Sequence, residues 1–174
     1  MISRYLTQKP RLNKNKKITS DPQRHLVYHM ERHFMGTSAY AHVELKTLHE
    51  VTKFICKQWR VTPPVLEVYC NEREHIFGRS TYEVDTHTGM TSAEKIRLNR
   101  CFHGDNLPVL AHELAHHILV RLGELTLEDH GPEFVGIYGW ILDRLNILPL
   151  FAFEAMCDYY GVYVGNTQGP EGWW

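Results

Sequence analysis

His112 and His116 stand four residues apart with Glu113 directly after the first, in the run His112-Glu113-Leu114-Ala115-His116. Four residues on an α-helix turn through about 400°, so the two imidazoles leave one face a single turn apart and can reach one ion. This H-E-x-x-H spacing is the pattern of a helix that holds zinc for hydrolysis. Zinc suits imidazole, and a catalytic zinc takes three protein ligands and keeps a fourth position open. Glu113 projects to the side of the histidine face. A carboxylate there can take a proton from a metal-activated water and pass it to a leaving amine. The chemistry expected is hydrolysis of an amide, with a peptide bond first. The motif itself does not separate peptide from other amide bonds.

A third ligand is required, and two residues compete for the role. His130, in the run His130-Gly131-Pro132-Glu133-Phe134, stands just before a second helical pattern whose apolar face is Phe134, Ile137, Ile141, Leu142 and Leu145. The stretch from Leu122 to His130 is long enough for the chain to return to the ion. Glu154 lies on a third helical stretch, Pro149 to Tyr160, and makes E-x-x-x-D with Asp158, a pattern also found where glutamate is the third zinc ligand. His130 is preferred, which gives His112, His116 and His130 as the metal set and Glu113 as the catalytic base. Tyr138, Tyr159 and His103 are candidates for a second donor to the oxyanion. His117 points off the ligand face and is assigned to packing.

The elements that must position these groups are legible in outline. Leu110, Leu114, Ile118 and Leu122 form an apolar stripe roughly opposite the two histidines. Pro108 suits a first turn, Asp105 or Asn106 a cap, and Gly123 a stop. Upstream, Ser20-Asp21-Pro22 reads as a helix start, followed by His25, His29 and His33 on a side expected to face solvent. Residues 38–59 form a stronger helix with Val43, Leu48, Val51, Phe54 and Ile55 as core candidates. After Pro63-Pro64, Val65–Cys70 and Ile76–Val84 read as strands, Asp85–Gly89 as a turn and Lys95–Arg100 as a third strand. That third strand immediately precedes the metal helix and is expected to flank the cleft, where an extended substrate backbone can pair. The fold class expected is α+β: N-terminal helices, a small three-stranded, mainly antiparallel sheet, the active-site helix and two C-terminal helices. Residues 20–174 make a single domain, preceded by a flexible basic arm over 1–19.

The pair H-E-L-A-H and H-G-P-E-F resembles the SprT/Spartan-type metallopeptidase domain, a small zincin. The resemblance implies a minimal zincin-like fold, Zn2+ as the cofactor, His112, His116 and His130 at the ligand positions and Glu113 as the general base. It implies peptide-bond hydrolysis on protein or peptide substrates, including DNA-associated proteins. It is specific over 112–134, and upstream only the order of elements agrees. No Cys-rich zinc ribbon follows the domain, so the resemblance is to small bacterial and phage-encoded members.

Composition bounds the partners. The net charge is −1, but residues 1–24 carry seven basic side chains against Asp21 alone, a net of +6 that leaves −7 on the remainder. The arm either binds an acidic surface such as nucleic acid, weakly, or is a solvated tail. The start has no hydrophobic signal-peptide core and lacks the amphipathic pattern of a transit peptide. No apolar run approaches a membrane span. Cys56, Cys70, Cys101 and Cys157 are widely spaced with no C-x-x-C pair, and are expected to be isolated, mostly buried thiols in a reducing cytoplasm. The competing function is a non-catalytic, zinc-containing nucleic-acid or protein-binding adaptor. Glu113 argues against it, because a structural site needs no base, and an open coordination position discriminates the two.

Overall fold

The computed structural model describes residues 21–34, 41–84, 91–123 and 129–173. The basic arm over 1–19 and the turn at Asp85–Gly89 lie outside the described residues. Within them the chain runs α1 (Arg24–Phe34), α2 (Leu45–Gln58), β1 (Val65–Tyr69), β2 (Gly78–Val84), β3 (Thr91–Asn99), a short 3-10 turn (Arg100–Phe102), α3 (Leu107–Arg121), α4 (Pro132–Arg144) and α5 (Leu150–Tyr160). The class is α+β, as expected. No helix among the described residues is long and apolar enough to cross a membrane.

The H-E-x-x-H helix is α3, and its sequence dictates its burial. Leu110, Leu114 and Ile118 are fully buried, and so are Ala111 and Ala115, whose small side chains let neighbours approach. Of the two cap candidates Asn106 serves: its Oδ1 accepts from the Val109 amide at 2.9 Å. Gly123, just past the end, takes φ +84°, a left-handed conformation that costs glycine little. The back of α3 is tied to β3 by buried charge. Glu94 meets His117 through one carboxylate oxygen and Arg121 Nε through the other at 2.9 Å, while His117 Nε2 lies 2.8 Å from the Thr62 carbonyl oxygen. His117 is therefore an anchor rather than a ligand.

The sheet order is β1-β3-β2, with β3 central. β2 pairs antiparallel with β3, but β1 pairs parallel with it, so the sheet is mixed rather than mainly antiparallel. The reason is the 70–77 loop. It crosses the end of the sheet where Tyr69 faces Asn99 and Gly78 faces Leu98, linking the two outer strands in opposite directions. The second reversal, from β2 into β3, returns β3 to the direction of β1. Asn99 pins that loop, donating from Nδ2 to the Asn71 and Glu74 carbonyls at 3.0 Å each. A disulfide joins Cys70 to Cys101 at a Cα separation of 5.0 Å across the same end. The expectation of four isolated thiols therefore holds only for Cys56 and Cys157, both buried and free. Cys70 and Cys101 meet because β1 and β3 end side by side, which their separation in sequence does not reveal.

Most element boundaries fall within two residues of expectation, and two starts differ by more. The second helix starts at Leu45 rather than 38, and residues 41–44 are extended or irregular. It buries Leu48, Thr52, Ile55 and Cys56, so Phe54 falls off the core face and is 41% exposed, with the Arg144 guanidinium over its ring. The third strand begins at Thr91, four residues before Lys95. His25, His29 and His33 are exposed, as expected, although His33 Nδ1 reaches the Tyr160 hydroxyl at 2.8 Å.

Asp105 fixes the entry to α3. Its carboxylate is fully buried and pairs with Arg100 Nε at 2.7 Å and His42 Nδ1 at 2.6 Å. Burial alone would raise its pKa, but the hydrogen bonds from Arg100 and His42 outweigh it and hold the carboxyl below the usual range. A carboxyl depressed on folding stabilises the fold above its unfolded pKa of about 3.9 and loses that contribution as the pH falls through the folded value. Asp105→Asn is expected to cost about 1–2 kcal/mol at pH 7, and the gap to the parent should close as the pH drops below about 4. Urea unfolding of the metal-free chain at both pH values checks this. An equal gap at both would remove the charge from the argument.

Candidate metal centre

α3 presents His112 and His116 one turn apart, and the start of α4 returns His130 to them. His112 Nε2 lies 3.2 Å from His116 Nε2 and 3.4 Å from His130 Nε2. The ligand atoms of all three lie within 4.8 Å of one another, close enough to hold one metal ion. Metal–nitrogen bonds of about 2.0–2.1 Å at the tetrahedral angle put neighbouring nitrogens about 3.3 Å apart, and the two separations from His112 are close to that. His112 and His130 are buried and His116 is half-buried. Phe134, from the same H-G-P-E-F run, packs on the rings, 4.4 Å from His116 and 5.0 Å from His112 between centroids. That contact supplies an apolar floor.

Two of the imidazoles are oriented from behind by carboxylates on the N-terminal segment. Glu31 Oε1 lies 2.6 Å from His112 Nδ1, and Asp21 Oδ2 lies 2.6 Å from His130 Nδ1. A proton held on Nδ1 leaves the Nε2 lone pair free for an ion, the usual carboxylate–histidine–metal arrangement. The site's charge balance follows. Burial lowers the pKa of His112, but the Glu31 carboxylate outweighs it and the net shift is upward. His116 has no such partner, and burial pushes it well below its ordinary value. At His130 burial and the neighbouring His112 outweigh Asp21, and the shift is downward. Neutral His116 and His130 favour metal capture, since a protonated imidazole cannot ligate.

Glu113 is buried against β2. A Cβ at Gly78 would stand 2.9 Å from Glu113 Oε1 and 2.9 Å from Val109 Cγ1, so the strand can approach α3 this closely only with glycine there. Burial raises the Glu113 pKa to about 7, against the opposing pull of His112 and a backbone hydrogen bond from Ser80. A carboxyl poised near neutrality suits proton transfer in both directions. The three histidines and Glu113 open onto a cleft of about 410 Å³. Its walls are β2, through Gly78, Arg79, Ser80 and Tyr82, and α1, through Arg24 and Tyr28, with Asp129 at the loop before His130.

The structure thus brings His112, Glu113, His116 and His130 together. Glu154 is exposed on α5, where it accepts from Thr167 Oγ1 at 3.1 Å, and does not line the cleft. Tyr159 is 81% exposed, and His103 lies at the end of the 3-10 turn against His42; neither lines the cleft. Tyr138 is fully buried between Phe134 and Phe153, and burial with Glu31 beside it pushes its phenol well up. It backs the site without opening onto it. β3 is the central strand, and the strand that flanks the cleft is β2, an edge of the sheet.

Nothing in the H-E-x-x-H pattern points to Asp21, Tyr28 or Glu31. One signal for Glu31 does exist. It shares the buried face of α1 with Val27 and Met30, and a lone glutamate on an apolar face needs a partner. Compared with protein-family models, curated proteins and solved structures, the chain matches none.

Proposed function

We propose that this chain is a zinc-dependent metallopeptidase of the SprT/Spartan type. One observation carries the reading: three imidazole ligand atoms gathered within 4.8 Å of one another beside a carboxyl that faces an open cleft. Zinc, when bound, supplies a Lewis acid that polarises a carbonyl and acidifies a water. The chain's own residues do the rest. His112, His116 and His130 hold the ion, and Glu31 and Asp21 fix two of the rings. Glu113 takes the proton of the attacking water and delivers it to the amine nitrogen as the C–N bond breaks. β2 is an edge strand among the described residues and lines the cleft, which suits a substrate held in extended form. For DNA-associated substrates the basic arm over 1–19 is the segment that meets nucleic acid, by salt-sensitive contacts. The adaptor alternative fits less well. A structural zinc closes with four protein ligands, and among the described residues three side chains converge here.

The test uses the full chain loaded with zinc and an unfolded casein as substrate, with and without duplex DNA. One zinc per chain and cleavage that stops with chelator and returns with zinc are expected. Glu154→Ala should keep the metal and His130→Ala should lose it. One bound zinc without cleavage under either condition would favour the adaptor, and metal loss only in Glu154→Ala would overturn the ligand set.

A further inference from the structure

Attack on a carbonyl carbon puts negative charge on its oxygen, and active sites meet that charge with a donor aimed at it before the reaction starts. The sequence candidates for this role are Tyr138, Tyr159 and His103, and none of them opens onto the cleft. Tyr28 does. It stands on α1, its ring stacked on His112 with centroids 5.6 Å apart and planes 16° from parallel, and 5.2 Å from the ring of His130. It flanks two of the three ligands while Glu113 lies against β2, so base and phenol come from separate walls of one cleft. The other phenol in the cleft, Tyr82, stands on β2, the wall against which Glu113 packs. The Arg24 guanidinium carbon, one turn earlier on the same helix, stands over the Tyr28 ring, 5.5 Å from its centre.

We propose that Tyr28 is the second oxyanion donor of this active site, its phenol O–H meeting the oxygen of the scissile carbonyl. The assignment rests on the peptidase reading. As the water oxygen bonds to the carbonyl carbon, the π pair of C=O moves onto the carbonyl oxygen and the water's proton goes to Glu113. When the C–N bond breaks, that pair re-forms C=O and the proton on Glu113 passes to the amine nitrogen. Tyr28 gives a hydrogen bond throughout and keeps its proton, so it is not consumed. A phenol, with an ordinary pKa of about 10, is in the donating form at neutral pH.

Tyr28→Phe tests this, because the ring and its packing on His112 stay and only the hydroxyl goes. Zinc content, kcat and KM on unfolded casein are measured, together with binding of a peptide phosphonate, whose tetrahedral anion imitates the oxyanion. Tyr159→Phe, on the exposed face of α5, is the control. The expected result is one zinc per chain, KM within about twofold, kcat lower by about 10²-fold and phosphonate affinity lower to a similar degree. Parental kcat and parental phosphonate affinity in Tyr28→Phe would overturn the donor role while leaving the peptidase reading intact. Loss of zinc in that variant would make Tyr28 structural and overturn it equally. Absence of cleavage by the parent loaded with zinc would sink the peptidase reading, and the donor role with it.

Discussion

Glu113→Gln is expected to keep its zinc and its fold and to lose about 10²–10⁴-fold in kcat, the range in which a positioned acid–base group contributes. Glutamine has the shape of the carboxyl it replaces, so the close approach of Gly78 and Val109 is preserved. It cannot accept a proton from water, nor hand one to the leaving amine. The metal is retained because the three imidazoles, not Glu113, form the cluster. Burial outweighs the pull of His112 and raises the carboxyl pKa to about 7, so the native fold carries a cost that the uncharged amide avoids. Thermal unfolding of the variant without metal should therefore be unchanged or shifted upward. This combination of silent chemistry, intact metal and undiminished stability is the signature of a base. Zinc content by metal analysis, calorimetry and casein turnover read the three parts. Cleavage at the parental rate would remove Glu113 from the mechanism, and zinc loss would make it part of the metal cluster.

How much of this was legible in the sequence follows the range of the forces involved. The H-E-x-x-H helix is local: its histidine spacing, apolar stripe, Asn106 cap and Gly123 stop all lie within one short stretch, and periodicity is enough to place them. His130 required one step further, the choice against Glu154, and the helix start at Pro132 favours it because a ligand just before a helix has a fixed exit direction. The groups that tune the site are a different case. Asp21 and Glu31 act on histidines 109 and 81 residues away in the chain, and no pattern within α1 or just before it encodes that distance. The parallel pairing of β1 and the meeting of Cys70 with Cys101 are non-local in the same way, since both depend on where the 70–77 loop crosses the sheet. Phe54 shows the opposite failure. An apolar residue next to a true core position reads as inward, and a 100° step on the helix turns it out.

The N-terminal segment is expected to control metal affinity although it supplies no ligand. Glu31→Gln and Asp21→Asn should each weaken zinc binding by about 10–100-fold, the usual effect of removing a carboxylate behind a ligating imidazole. The mechanism is tautomeric. A carboxylate is acceptor-only, so it forces the proton of His112 onto Nδ1 and leaves Nε2 open. An amide offers both a donor and an acceptor. Once its N–H turns toward Nδ1, the proton moves to Nε2 and the ligand atom is blocked. Glu31 is the more exposing test of the two, because it is 3% exposed and His112 has the nitrogen nearest to both of the other ligands. Each tenfold loss in affinity corresponds to about 1.4 kcal/mol. The rise in melting temperature that zinc confers should therefore shrink in both variants, more than the melting point of the metal-free chain changes. Competition titration against a chromophoric chelator measures the affinity directly. Parental affinity in both variants would mean that α3 and the His130 loop orient the imidazoles unaided, and that the contacts of Asp21 and Glu31 serve only to dock α1.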